Sequence, residues 1–505
     1  MIISSQDTIL IVGAGIMGAG IAQVAAQAGH PVLLFDTRPD AAIAAKGQLA
    51  KTLEMLVAKG KMSEAGARET IARIVPIPSL AAASAARVAI EAIVEKLDAK
   101  RALFADLEAA LAADAILATN TSSISVTAIA NGLRHPERLV GMHFFNPVPL
   151  MRLVEVVSGL QTSPGVADAI FELSRAWRKV PVHAKSTPGF IVNRIARPYY
   201  AETLALLQER ASTPAILDAC LRGAGFKMGP CELMDLIGHD TNFSVTQSVY
   251  EANFYDKRFV PSLVQRELVD GGLLGRKTGQ GFYAYPAAAS VEQQNAETHK
   301  LQAPKRVVIH GSSPAAEALD QLVAPVLTGF GLTSERNLES TWTGIEVDAA
   351  RLVLTDGRPA FELARGFNTN DVAVFDRPLN GATVASLSTL AYAINRDSGP
   401  SWKIQSAAWL AALGFTPRLV EDTPGLVVAR TVAMLVNEAA DAVQQGVCTP
   451  KAADIAMKLG VNYPSGPFEW LAGWDAREVI AVVEALDATY RGERYRVSPW
   501  LRRYA

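Results

Sequence analysis

The stretch Thr8-Ile9-Leu10-Ile11-Val12-Gly13-Ala14-Gly15-Ile16-Met17-Gly18-Ala19-Gly20 decides the fold, together with Pro31-Val32-Leu33-Leu34-Phe35-Asp36 downstream. Thr8–Val12 is short, apolar and β-branched, which predicts a buried strand. The glycines then open a small-residue helix that runs to Ala28, Gly29 stops it, and Pro31–Phe35 forms a second strand. A lone G-x-G-x-x-G carries little information. Here a strand precedes it, a helix follows, and an acid stands 21 residues beyond Gly15. In such a unit Gly13 permits the tight turn, Gly15 lets the backbone approach a pyrophosphate, and Gly18 lets helix and strand pack closely. The helix N-terminus offers N–H groups and a partial positive charge to phosphates. Asp36 can accept bonds from both ribose hydroxyls and would repel a 2′-phosphate, which favours NAD over NADP; Arg38 beside it argues the other way.

Between Asp7 and Asp36 there is no Asp, Glu, Lys or Arg, so the segment imitates a membrane span. No basic residue precedes it, glycines interrupt it, and Gln23, Gln27 and His30 make it polar, so a strand, a turn and a buried helix explain it better. The 505 residues predict three or four domains. Half the residues are hydrophobic and 19% charged, which excludes a mainly disordered chain. A net charge of −2 gives no global attraction to nucleic acid or to an anionic membrane. Cys220, Cys231 and Cys448 are few and in no metal-ligand spacing, which points to a reducing compartment such as the cytoplasm and to no metal site.

Outward from the glycine turn, apolar strands are expected at Val88–Ile93, Ile116–Ala118, Leu139–Met142 and Leu153–Val157, with Ala-rich helices between some of them. That alternation predicts a mainly parallel sheet covered on both faces, a Rossmann-type α/β domain. Met55–Arg73 reads as a charged helical hairpin, with Lys51, Lys59 and Lys61 in or near it. From Thr187 helical stretches run to about Leu274, where Gly275-Arg276-Lys277-Thr278-Gly279 ends them. The chain then repeats itself at an offset of 236 residues. Thr187-Pro188-Gly189-Phe190-Ile191-Val192-Asn193-Arg194 returns as Thr423-Pro424-Gly425-Leu426-Val427-Val428-Ala429-Arg430, and Thr213-Pro214 as Thr449-Pro450. Between the copies lie strand-like pieces such as Arg306–Ile309 and Val372–Phe375. The nearest glycine motif there, Gly329-Phe330-Gly331-Leu332-Thr333-Ser334, lacks its third glycine. The expected order is a nucleotide-binding domain (1–186), an all-α helical domain (187–285), a linker (286–304), a degenerate α/β domain (305–415) and a second helical copy (416–505).

Asn120-Thr121-Ser122-Ser123 and His143-Phe144-Phe145-Asn146-Pro147 each follow an expected strand, at the carboxyl edge where open α/β sheets place ligands. Glu155 interrupts the apolar run Leu153–Val157, and a carboxylate buried there needs a partner. Pro147 and Pro149 turn the chain so that His143 and Glu155 can lie side by side. A paired imidazole, its tautomer fixed, suits a base that accepts an alcohol proton as hydride leaves the same carbon.

Over about residues 7–285 these motifs together resemble the 3-hydroxyacyl-CoA dehydrogenases, down to Gly275-Arg276-Lys277-Thr278-Gly279-Gln280-Gly281-Phe282-Tyr283. The resemblance implies that His143 is the base and Glu155 its orienting partner. It implies that Ser122 and Asn193 contact the substrate, and that Glu95, Lys100 and Asn120 contact the nicotinamide half of NAD. It assigns the charged hairpin, through Lys51, Lys59 or Lys61, to CoA. With its second helical copy the whole chain resembles the longer bacterial members, which oxidise 3-hydroxyadipyl-CoA in phenylacetate degradation. A dicarboxyl substrate wants a distal cation, and Arg194 and Arg197 are candidates. Ala429 stands where Asn193 stands and no H-F-F-N-P precedes the second copy, so one active site per chain is expected. The second copy should then pack against the first, and a homodimer is a further expectation. Three alternatives remain open at this stage. They are a 3-hydroxybutyryl-CoA dehydrogenase, a dehydrogenase of free hydroxyacids, and a non-catalytic NAD-binding protein, which would be expected to have lost the His–Glu pair.

Overall fold

The computed structural model describes residues 2–286, 300–379 and 388–505. Most of the expected linker, 286–304, lies outside them. Contacts divide the chain into one unit of residues 1–194 with 442–461, and a second of 195–441 with 462–505.

The first unit carries eight strands: β1 (Thr8–Val12), β2 (Val32–Phe35), β3 (Ile74–Pro76), β4 (Ala86–Glu91), β5 (Ile116–Thr119), β6 (Leu139–Phe144), β7 (Leu153–Ser158) and β8 (Val180–Lys185). They form one sheet in the order β3-β2-β1-β4-β5-β6-β7-β8. Every pair is parallel except β6–β7. Ile9, Leu10, Ile11, Ile90, Ile116 and Leu117 have no exposed surface, as both faces are covered. Helix α1 (Ile16–Gln27) follows β1, and α2 (Ala41–Ala58) and α3 (Glu64–Arg73) make the charged hairpin. The hairpin begins earlier than its charges indicate, because Ala41–Ala45 has no charge to mark it but is strongly helix-forming. Ser63 caps α3, its hydroxyl accepting from the Gly66 amide.

Residues 442–461 of the second helical copy lie on this sheet. The Lys185 amide donates to the Val447 carbonyl (2.9 Å), and Arg194 Nη1 donates to Gln445 Oε1 (2.8 Å). A Cβ on Gly460 would stand 2.8 Å from Leu153 and 2.9 Å from Val192, so only glycine fits there.

The second unit holds a mixed sheet. Its strands are β9 (Val307–His310), β10 (Glu335–Asn337), β11 (Gly344–Val347), β12 (Ala350–Leu354), β13 (Val372–Phe375), β14 (Thr389–Ile394) and β15 (Thr416–Leu419), ordered β10-β9-β11-β12-β13-β14-β15. The helical copies share their start signals. Thr213 and Thr449 cap Pro214–Gly223 and Pro450–Gly460, and Glu232 and Glu469 each accept the amide of the glycine three residues before, Gly229 (3.4 Å) and Gly466 (2.9 Å). Within this unit the copies do meet: buried Arg430 bridges Glu202 (2.8 Å) and Glu209 (3.3 Å). One sequence expectation needs correction. The counterpart of the first glycine turn is Gly311-Ser312-Ser313-Pro314 after β9, with Gly311 at φ +100° as Gly13 is at +106°. Gly329–Ser334 instead follows the far end of helix Pro314–Thr328. Ser313 and Ala316 stand where the later glycines would be, so the turn has no glycine signature.

Candidate active site

The turn after β1 is shaped for a dinucleotide. A Cβ on Gly18 would lie 1.8 Å from the Gly13 carbonyl oxygen, whereas one on Gly15 would meet nothing within 4 Å. Gly18 therefore closes helix on strand, and Gly15 leaves open room at the start of α1. Asp36 pins the same turn, accepting from the Ala14 amide (2.8 Å). The Arg38 guanidinium, with the Ala14 and Arg38 amides, holds the Asp36 carboxyl at about 2. These residues fit NAD.

Further along the carboxyl edge, Glu95 gathers the loop after β5. Its Oε1 accepts from the Thr121 hydroxyl (2.7 Å) and the Ser122 amide (2.9 Å), and Lys100 Nζ stands 3.1 Å from its Oε2. The Ser122 hydroxyl reaches the same oxygen at 3.3 Å. Burial pushes Glu95 up, yet Lys100 and these hydrogen bonds hold it below the ordinary carboxylate range. Asn120 Oδ1 accepts the Phe144 amide (2.9 Å) and so joins this loop to β6.

His143 lies inside β6 rather than after it, because β6 continues to Phe144. The antiparallel register sets His143 opposite Glu155 of β7. Its Nδ1 is 2.6 Å from Glu155 Oε2, and Glu155 is fully buried. The other carboxylate oxygen accepts the Ile191 and Val192 amides, both at 3.0 Å, where the chain enters the short helix Val192–Ile195. Phe190, at φ +46°, makes that entry, and its ring and that of Phe145 flank the imidazole. A carboxylate on Nδ1 assigns the proton to that nitrogen and leaves Nε2 as the basic atom. Asn193 lies one residue beyond the two amides.

Thus Gly13, Gly15, Gly18, Asp36, Glu95, Lys100, Asn120, Ser122, His143, Glu155 and Asn193 all belong to the first unit. Lys51, Lys59 and Lys61 are exposed on the hairpin, with no acidic partner among the described residues. Arg194 and Arg197 are buried. Arg194 is bonded to Gln445, and Arg197, which belongs to the second unit, donates to the Thr246 hydroxyl. Neither stands ready for a distal carboxylate.

Two supporting residues escaped the sequence reading. Glu91, buried at the end of β4, accepts from Lys100 Nζ (2.5 Å), the Thr119 hydroxyl (2.7 Å) and the Ile93 amide (2.7 Å). Like Glu155 it is a fully buried acid within a strand, here one that also carries Arg87 near its start. Lys179, also buried, donates to the carbonyls of Val148 (2.5 Å) and Met151 (2.8 Å), steadying the turn between β6 and β7. Burial pushes its ammonium down to about 8.

The second sheet repeats the scaffold without the chemistry. β14 is β7 displaced by 236 residues, which sets Ala391 in the place of Glu155. Opposite Ala391, in the place of His143, stands Asp376, its amide bonded to the Ala391 carbonyl (2.9 Å). The Asp376 carboxylate accepts the amides of Val427, Val428 and Ala429, at 2.6–2.9 Å. A single acid crossing from the neighbouring strand thus satisfies the helix entry that Glu155 satisfies in the first half, with no imidazole.

The chain is similar to known proteins along its whole length. The model described as "3-hydroxyacyl-CoA dehydrogenase, NAD binding domain" matches residues 8–187. The one described as "3-hydroxyacyl-CoA dehydrogenase, C-terminal domain" matches twice, over 189–285 and 425–505. "3-Hydroxybutyryl-CoA dehydrogenase reduced Rossmann-fold domain" matches 352–424. The chain is 42% identical over its full length to the 3-hydroxyadipyl-CoA dehydrogenase of Escherichia coli K12, covering 98% of that protein. It is 39% identical to a probable 3-hydroxybutyryl-CoA dehydrogenase of Bacillus subtilis, over 56% of this chain and 98% of the relative. A crystal structure described as 3-hydroxybutyryl-CoA dehydrogenase from Escherichia coli K12 superposes with a TM-score of 0.88 at 40% identity, covering 99% of this chain and 98% of that one. With family models spanning both halves and a relative aligned end to end, the chain belongs to the 3-hydroxyacyl-CoA dehydrogenase family.

Proposed function

We propose that the chain oxidises (3S)-3-hydroxyacyl-CoA to 3-oxoacyl-CoA with NAD, at one site per chain, and that its preferred substrate is 3-hydroxyadipyl-CoA, as in phenylacetate catabolism in the cytoplasm. The observation that carries the reaction is the His143–Glu155 pair, 2.6 Å apart, on the sheet that bears the dinucleotide turn. A protein that only binds NAD has no need of that pair.

His143 Nε2 takes the hydroxyl proton as C3 loses its hydride. Glu155 stabilises the imidazolium that forms, and it is itself fixed by two backbone amides. Ser122 and Asn193 hold the hydroxyl and thioester oxygens, so that the reacting atoms meet in the required orientation. When bound along the turn after β1, NAD⁺ supplies the hydride acceptor. Asp36 takes the ribose hydroxyls, Glu95, Lys100 and Asn120 border the nicotinamide half, and Lys51, Lys59 or Lys61 meets the CoA phosphates. The S configuration rests on family likeness.

The dicarboxyl substrate is favoured by the full-length match to the E. coli 3-hydroxyadipyl-CoA enzyme. A 3-hydroxybutyryl-CoA specificity has its own support in the naming of the solved E. coli relative. Comparing kcat/KM on the two CoA esters decides between them. A preference of tenfold or more for the adipyl ester is expected, on the order of 1.4 kcal/mol in transition-state binding. Equal or reversed values would give the short chain its place. Activity on free 3-hydroxybutyrate equal to that on its CoA ester would refute the CoA reading.

A further inference from the structure

Glu91 ends β4 fully buried, and the proposed reaction gives it no task. The sheet order reverses between β1 and β4, and open α/β folds bind dinucleotides across such a crevice. In the proposed reaction Asp36, after β2, holds the ribose at one end of NAD, which leaves β4 and β5 to the nicotinamide end. Glu91 Oε1 accepts Lys100 Nζ (2.5 Å) and the Ile93 amide (2.7 Å), and Oε2 accepts the Thr119 hydroxyl (2.7 Å). Its backbone carbonyl accepts the Asn120 amide (2.8 Å). Lys100 is buried too, and its second carboxylate is Glu95 at 3.1 Å. Glu95 Oε1 in turn accepts the amides of Ser122 (2.9 Å) and Ser123 (3.2 Å). One ammonium therefore stands between an acid of the sheet and the acid that gathers the Ser122 loop. How far it draws Glu95 away from that loop depends on how firmly Glu91 holds it.

The second sheet separates this role from the making of the turn. β12 stands to β13 and β14 as β5 stands to β6 and β7, parallel to the first of them, which pairs antiparallel with the second. Thr355 follows β12 where Thr119 ends β5. Each hydroxyl accepts the amide two residues on, Gly357 or Thr121, at 3.2 Å in both cases. Thr355 makes that bond with no carboxylate on its hydroxyl among the described residues. The turn thus needs the threonine alone. An acid beneath it is found in the half that carries His143 and Glu155.

We propose that Glu91 is a positioning residue for the oxidation: it anchors Lys100 and thereby sets the place of Glu95 and of Ser122. The effect on turnover rests on the reaction proposed above, whereas the anchoring of the loop does not, so the two are measured separately.

The test is Glu91→Gln in the full chain. The Gln oxygen can still accept Lys100 and the Ile93 amide, its NH₂ group faces the Thr119 oxygen, and the negative charge is gone. Lys100 is then left to Glu95. Amide hydrogen exchange over residues 120–124, measured without substrate, should quicken by about tenfold or more. In acetoacetyl-CoA reduction by NADH, kcat should fall by about 10², the cost of a displacement of roughly 1 Å. ADP, which meets the turn after β1 and not this loop, should bind as it does to wild type. Glu91→Asp leaves a larger void but keeps the charge, so it should lose only about tenfold in kcat; a packing defect would reverse that order. Wild-type exchange over 120–124 in Glu91→Gln overturns the proposal. So do an unchanged kcat, a loss of kcat matched by a loss of ADP affinity, or a worse kcat in Glu91→Asp. Quickened exchange in a chain whose wild type does not reduce acetoacetyl-CoA supports the anchor and sinks the reaction. Should Glu91→Gln fail to fold, Glu91→Asp carries the exchange measurement: quickening over 120–124 supports the anchor, and wild-type exchange overturns it.

Discussion

Replacing Glu155 with Gln exchanges one carboxylate oxygen for an NH₂ group at a fully buried position. The Ile191 and Val192 amides both need an acceptor at 3.0 Å, so the Gln carbonyl oxygen stays with them and the NH₂ turns to His143. That group donates to Nδ1, which drives the imidazole proton onto Nε2, the atom meant to receive the alcohol proton. The negative charge opposite the forming imidazolium is lost as well. A wrong-tautomer lesion of this kind costs about 10⁴ in kcat in serine hydrolases, and loss of a general base about 10²–10⁴. Glu155→Gln should therefore lower kcat by about 10³–10⁴, or roughly 4–5.5 kcal/mol in the barrier. Folding should suffer little, about 1–2 kcal/mol, because both amides keep an acceptor. Glu155→Ala should differ, since it strands two buried N–H groups at about 1–3 kcal/mol each. The assay is NADH absorbance with acetoacetyl-CoA, alongside NAD affinity and urea unfolding. Turnover of Glu155→Gln within tenfold of wild type, or a loss of activity that tracks a loss of NAD affinity, would remove Glu155 as the partner that fixes the His143 tautomer.

Other perturbations separate local roles. Gly15→Ala should melt like wild type, since its Cβ meets nothing within 4 Å, yet weaken NAD binding by about tenfold or more by crowding the pyrophosphate. Gly18→Ala should lose both binding and stability, because its Cβ would lie 1.8 Å from the Gly13 oxygen. The Lys179 ammonium is depressed to about 8 from an ordinary 10.5, so the unfolded chain binds its proton more tightly. Its contribution to stability therefore rises with pH from about 8 to 10.5. Urea midpoints of wild type and Lys179→Met should diverge over that interval, and parallel curves would dismiss the shift. Arg430→Met removes a fully buried guanidinium that bridges Glu202 and Glu209 and should cost about 3–5 kcal/mol of unfolding free energy.

Six of the first sheet's eight strands were readable as largely apolar runs around a turn marked by glycines that sterics demand, whereas β3 has only three residues and β8, which carries His183 and Lys185, is not an apolar run. The pairing of His143 with Glu155 was readable for a different reason, since a carboxylate in an apolar strand must have a partner. The same argument applied to Glu91, inside the expected strand Val88–Ile93, but its partners Lys100 and Thr119 lie on other elements and carry no motif that would have drawn them to it. Lys179 gave no signal, because its partners are backbone carbonyls, which have no sequence signature. The second glycine turn was hidden for a physical reason as well. Ser313 caps the helix itself, and of the three glycine positions only Gly311 keeps the positive φ of Gly13. That Asp376 does the anchoring work of Glu155 from the opposite strand depends on register, which the 236-residue offset alone does not reveal.

The proposed mechanism turns on the imidazole of His143, which draws the proton from the substrate alcohol. Single-turnover oxidation of a 3-hydroxyacyl-CoA by His143→Gln, with NAD⁺ saturating and its affinity measured separately, tests this directly. NAD affinity should be unchanged and the hydride-transfer rate lower by about 10²–10⁴. A rate within a few-fold of wild type would contradict it.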